Sequence, residues 1–194
     1  MAAEKDKRDA AVLPLRLKKT VVMVGMMGAG KTAIGAALAR RLNVAFLDSD
    51  TEIETAANMT IAEIFARDGE VFFRAKEAQV IARLLDGAPS VLSTGGGAFL
   101  QPGNREAISA AGVSVWLRAD IDLLWSRVKH KTTRPLLRTA NPRATLEELC
   151  KVRNPDYAKA DLVVDADPSY SIEEMTDRVI EVLLTRPDAL ELDK

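Results

Sequence analysis

The chain has 194 residues, of which 47% are apolar and 28% charged, and its 27 basic and 28 acidic side chains leave a net charge of −1. That length suits one sizeable core, and the balanced charge argues against a general nucleic-acid binder or a polybasic membrane anchor. Cys150 is the only cysteine, so no internal disulfide can form and a reducing, cytoplasmic setting is expected.

The first residues, MAAEKDKRDAAVLPLRLKK, are charged and lack the long apolar segment of a secretory signal. No stretch approaches the roughly 18 apolar residues of a membrane span. Residues 1–17 are expected to be a loose extension and residues 188–194 a flexible tail, leaving a single domain over 18–187.

The β-branched run KKTVVMVG, residues 18–25, predicts a buried strand. Lys31 to Leu42 predicts a helix, with Ile34, Leu38 and Leu42 on one face. VAFLDSD, residues 44–50, is a second short strand. Helical stretches follow from Thr51 to about Asp68 and from Glu70 to Leu85, and Thr60 with Glu63 has capping-box spacing that would restart a helix. SVLSTGG and VSVWLRA are further strands, after which Asp120 caps a helix to about His130. KTTRPLLRTANPRA breaks the pattern and reads as a mobile loop. Thr145 with Glu148 predicts a short helix, ADLVVDA a fifth strand, and Ser171 with Glu174 the cap of a last helix. Strands alternating with helices imply an α/β fold: three layers, with a parallel five-stranded sheet covered on both faces. Ligands in such folds sit beyond the carboxyl ends of the strands.

Gly25, Gly30, Lys31 and Thr32 match G-x-x-x-x-G-K-[ST] between a strand and a helix. The glycines let backbone N–H groups turn inward around phosphate oxygens, and the helix N-terminus adds its positive end. Lys31 is placed to reach the β- and γ-phosphates and the Thr32 hydroxyl to ligate Mg²⁺. The plain alternative is a tight strand–helix turn. The N-K-x-D motif of guanine-nucleotide switches is absent from the sequence. A small-molecule kinase is therefore the leading class, with a non-catalytic nucleotide-dependent switch as the alternative.

Four further features carry candidate chemistry. Asp48 and Asp50 follow the second strand; Asp50 either caps the next helix or holds an acceptor hydroxyl, and Asp48 is placed to bond Mg²⁺-bound water. Gly95, Gly96 and Gly97 are costly in backbone entropy unless a ligand must touch the main chain; the alternative is a flexible turn. Arg74, beside Phe72 and Phe73, needs a carboxylate partner, either a substrate's or that of Glu77 or Glu70. Arg153 stands just after the loop. If Arg74 and Arg153 wait for a substrate anion, removing either should barely destabilise the fold. Lone His130 is expected at the surface.

The ordered set GMMGAGKT, LDSD, FFRAKE, STGGG, RPLL and VRNPDY resembles the shikimate kinase family from about Lys18 to Leu184. The resemblance implies an NMP-kinase-like fold and transfer of phosphate from MgATP to the 3-hydroxyl of shikimate, on the route to chorismate and the aromatic amino acids. It implies that Gly28, Ala29, Gly30, Lys31, Thr32 and Ala33 bind ATP, and that Arg127 packs on adenine. Asp50 would hold the substrate hydroxyls, Arg74 and Arg153 the carboxylate, and Gly95 to Gly97 would approach the ring. Arg134, on a closing lid over about 129–144, would reach the transferring phosphate, making Lys31, Asp50 and Arg134 the catalytic set. The bottom-up alternative for Arg134 is a solvated loop cation. A gluconate-type sugar-acid kinase also offers a P-loop and an acidic substrate, but the glycine triplet and RPLL fit it less well. No nucleic-acid or membrane partner is expected, and the chain is expected to be a monomer. Met26 and Met27 are compatible variants within the P-loop, and the N-terminal extension matches nothing in the family pattern.

Overall fold

A computed structural model of the chain describes residues 15–131 and 135–193. Strands β2 (Thr20–Val24), β3 (Phe46–Asp48), β4 (Val91–Ser93), β5 (Gly112–Arg118) and β6 (Leu162–Asp165) form one parallel sheet in the order β3-β4-β2-β5-β6. Every residue of β2 is buried, as a central strand covered on both faces requires. Val22 is in register with Leu92 on one side and Ser114 on the other. The chain runs from β2 to β3 on one flank and later enters β5 on the other. A crevice therefore opens beyond the carboxyl end of β2, at the switch in strand order.

Helices α1 (Lys31–Leu42), α4 (Pro102–Ala111), α5 (Ile121–Val128), α6 (Pro142–Tyr157) and α7 (Ile172–Leu183) pack around this sheet. The main core joins β2 and β5 to Ile34, Leu38, Leu124, Leu146, Met175, Val179 and Leu183. Among the described residues no helix is long and apolar enough to cross a membrane.

Between β3 and β4 lie α2 (Ser49–Ala57) and α3 (Ile61–Leu85). The Thr60–Glu63 capping box is present at the start of α3. Gly69 bends α3 at φ 81°, ψ 174°, a conformation that a side chain would strain, so the expected break between Asp68 and Glu70 is real. Ile53, Ile64 and Phe73 form a separate small cluster here.

Several sequence expectations change. Helix α4 was not foreseen; Pro102 at its first turn and Gly112 just past its end are the signals that marked it. Helix α6 starts at Pro142 rather than at Thr145, because the Asn141 side chain takes the Ala144 N–H. Arg153 consequently belongs to the last turns of a 16-residue helix rather than to a loop edge. The chain ends expected to be loose are paired where they are described. Strand β1 (Leu15–Leu17) runs antiparallel to β7 (Leu190–Leu192), with Leu17, Ala189 and Leu190 buried. Lys18 and Lys19 close this clasp on Glu191 and Asp188 at 3.0 and 2.8 Å.

Candidate active site

The P-loop occupies the crevice beyond β2. Gly30 stands at the N-cap of α1 with φ 100°, which lets the loop turn directly into the helix. Lys31 Nζ donates to the Gly25 and Met26 carbonyls at 2.8 and 3.0 Å. Arg127 Nη1, from α5, donates to the Gly28 and Ala29 carbonyls at 3.1 and 3.2 Å. Two cations thus sit on the outer carbonyls of the loop. Ala29 is buried, and its N–H bonds to the Met26 carbonyl.

A cavity of about 520 Å³ opens over this loop, lined by Gly28, Gly30, Lys31, Thr32, Ala33 and Arg127 together with Asp48, Asp50, Gly95 and Gly96. The Asp48 side chain is the N-cap of α2 and accepts from the Asp50 and Thr51 N–H groups. Asp50 is therefore free of the capping role that the sequence left open. Its carboxylate lies against Gly95, where a Cβ would stand 2.7 Å from Oδ1. Burial, then the negative charges of Asp48 and Glu77, push the Asp50 carboxyl up to about 6, although Lys31 pulls the other way.

The next two glycines are approached in the same manner. A Cβ on Gly96 would lie 3.3 Å from Arg153 Nη1, and one on Gly97 would clash with the Arg74 guanidinium. The triplet is glycine because three charged side chains from α2, α3 and α6 converge on its backbone. Arg74 Nη1 bonds to Glu77 Oε2 at 2.7 Å, and Glu70 stands 3.5 Å from Arg74 Nε. Glu77 is only 1% exposed, and burial raises its pKa against the pull of Arg74. Arg74 therefore faces the glycine end while pairing with a buried glutamate. That pair is the structural alternative for Arg74 that the sequence left open, and removing the arginine would deprive a buried carboxylate of its partner. Arg134 lies outside the described residues.

A family model described as "Shikimate kinase" matches residues 27–184. The chain belongs to the shikimate kinase family. It is similar to a shikimate kinase of Cereibacter sphaeroides, at 66% identity over 97% of this chain and 94% of that protein. A shikimate kinase of Ruegeria pomeroyi is 69% identical over 91% of this chain and 90% of its own length. Among solved structures, a shikimate kinase of Acinetobacter baumannii in complex with shikimate superposes with a TM-score of 0.81 at 37% identity, over 86% of this chain and 93% of that one.

Sequence reasoning missed part of this shikimate kinase cavity. Ser93, Thr94, Lys131, Tyr170, Ser171, Ile172 and Met175 also line it. The signal was available: all five parallel strands end on one side, so the turn after β6 had to reach the same edge as the P-loop. Tyr157, fully buried with its hydroxyl on Gly96, was missed as well, because nothing in VRNPDY tells a site tyrosine from a core one. No described cluster of three or more His, Cys, Asp or Glu residues could hold a metal by itself. Thr32 and Asp48 both line the cavity and offer oxygens of the kind Mg²⁺ takes, since that ion uses few protein ligands and completes its shell with phosphate and water.

Proposed function

We propose that this chain transfers the γ-phosphoryl group of ATP to the 3-hydroxyl of shikimate. The observation that carries the reading is the glycine triplet, where Asp50, Arg153 and Arg74 each meet one residue at the end of β4, beside the P-loop cavity. One carboxylate and two guanidiniums around an open backbone match a ligand with several hydroxyls and one carboxylate.

The P-loop N–H groups and the N-terminus of α1 receive the phosphates, and Lys31 meets the charge that grows on them during transfer. The Thr32 hydroxyl would hold Mg²⁺ and Asp48 would bond its water, and the ion would supply neutralisation of phosphate charge. Arg74 and Arg153 take the substrate carboxylate in two-pronged contacts. Asp50 takes the hydroxyl to be phosphorylated. The hydroxyl oxygen forms the new bond to phosphorus, the bond to the bridging oxygen of ADP breaks, and the proton leaves towards Asp50. A carboxyl titrating at about 6 is ionised at neutral pH and still basic enough to help. Arg134 supports the transferring phosphate from the lid, and Arg127 packs on adenine. The enzyme works as a cytoplasmic monomer.

A coupled ADP-release assay with Mg²⁺ tests this reading. Shikimate should drive release strongly and gluconate weakly. Equal rates with both, or none with shikimate, would remove the substrate assignment.

A further inference from the structure

Tyr157 is fully buried in the last turn of α6, with its ring 6.1 Å from that of Trp116. A buried tyrosine hydroxyl needs a partner, and any core carbonyl would serve. Here the partner belongs to the site: Oη donates to the Gly96 carbonyl at 2.5 Å. Arg153 lies one turn earlier on the same helix, and its positive charge stands beside the same hydroxyl. A Cβ on Gly96 would stand 3.3 Å from Arg153 Nη1 and 3.6 Å from Tyr157 Oη, so peptide, guanidinium and phenol meet at one point. With its proton committed to Gly96, the oxygen keeps lone pairs open to a guanidinium donor.

We propose that Tyr157 is a positioning residue for the substrate carboxylate: its hydroxyl ties the Arg153 guanidinium to the Gly96 peptide, so that arginine and strand end present one fixed surface to shikimate. The inference rests on the reading of Arg153 as a carboxylate-binding residue. Burial pushes the hydroxyl up to about 12 despite the neighbouring Arg153 charge, so the donor stays in place across the working pH range. Tyr157 acts through Arg153 and takes no part in proton transfer.

The test is steady-state kinetics on Tyr157→Phe, Arg153→Ala and the double variant, with shikimate and with its carboxamide. Phenylalanine keeps the ring against Trp116 and removes one oxygen. Tyr157→Phe should raise the KM for shikimate roughly tenfold, the scale of one lost buried hydrogen bond, while kcat and the KM for ATP stay near wild type. The double variant should be no worse than Arg153→Ala, because the tyrosine works through the arginine. With the carboxamide, Tyr157→Phe and wild type should be equal. An unchanged KM for shikimate in Tyr157→Phe, a matching rise in the KM for ATP, or penalties that multiply in the double variant would each overturn the inference. If Arg153→Ala itself leaves the KM for shikimate unchanged, the carboxylate reading falls and takes this inference with it. If Arg153→Ala raises it and Tyr157→Phe does not, the inference alone falls. A second readout needs no change at position 157. The chain has two tyrosines, so 3-fluorotyrosine labelling gives two ¹⁹F resonances, assigned through Tyr170→Phe. Shikimate should move the Tyr157 resonance and the carboxamide should not; indifference to shikimate would count against the proposal.

Discussion

Around the P-loop, Val21, Val22, Met23 and Val24 of β2 are completely sealed, and Ile34 and Leu38 of α1 pack on them. The arm that presents Asp50 and Arg74 is built differently. From Ser49 to the bend at Gly69 and on to Phe73 it rests on Ile53, Ile64 and Phe73, with Val80 as the partly buried residue shared with the main core. Val71, 88% exposed, and Phe72 leave this arm's outer face largely in solvent. The P-loop is thus carried by a close-packed framework, and Asp50 and Arg74 by a lightly anchored lever whose polar contacts matter proportionally more. Burial of apolar area supplies most folding energy, so regions with little of it open first.

The largest effect should come from the framework side. Lys31→Ala should cut turnover by about 10²–10³-fold, the loss typical of one donor aimed at developing charge. Its melting temperature should stay within about 2 °C of wild type, because Lys31 contacts loop carbonyls rather than the core. A folded variant with near-normal turnover would mean that the P-loop does not serve the reaction.

On the lever, Arg74→Ala should combine two losses. The KM for shikimate should rise about 30-fold or more, from about 2–5 kcal/mol for a broken buried charge contact. Stability should fall too, because Glu77 loses its partner. The sign of the pH dependence follows from Glu77. Its folded pKa, already raised by burial, rises further without Arg74, so the deficit is small in acid and grows as pH increases through that pKa. Adding Glu77→Gln should restore most of the melting temperature and none of the shikimate affinity. Restoration of both would make Arg74 purely structural.

A matched pair of small deletions sharpens the contrast. Ile64→Val and Ile81→Val should each cost about 0.5–1.5 kcal/mol. Ile81 lies in the main core and Ile64 in the small cluster. Amide exchange should accelerate only over α2 and the first half of α3 in the former, whereas the latter should lower global stability. Equal spread in both variants would dissolve the distinction between framework and lever.

The smallest expected effect is on Asp50. Its folded pKa is raised from 3.8 to about 6, so its contribution to stability is present below about pH 4 and lost as pH rises through 6. Asp50→Asn should therefore raise the melting temperature by roughly 2–5 °C at pH 8, with the gain vanishing near pH 4. Wild-type kcat/KM should fall as pH drops below about 6, where the carboxylate is protonated. A melting temperature lowered by Asp50→Asn at pH 8 would contradict this placement.

Much of this architecture was legible without coordinates. The P-loop declared itself through Gly25, Gly30, Lys31 and Thr32 between a β-branched run and an amphipathic helix, because local backbone geometry and phosphate chemistry demand those residue types in that spacing. The five parallel strands, the capping boxes at Thr60 and Ser171, and the helix break at Gly69 are equally local. Helix α4 escaped because its signals are weak, and the β1–β7 clasp because pairing between residues so far apart leaves no local trace. The meeting of Asp50, Arg153 and Arg74 on successive glycines was decided by tertiary structure alone. Three separate helices must dock before their side chains can share one strand end, and the space left for a Cβ at Gly95, Gly96 or Gly97 exists only in that packed arrangement. Tertiary structure likewise set the character of the Arg74–Glu77 pair: sequence spacing put Glu77 within reach, but only its burial turned a helix-surface pair into a charge that the fold has to balance.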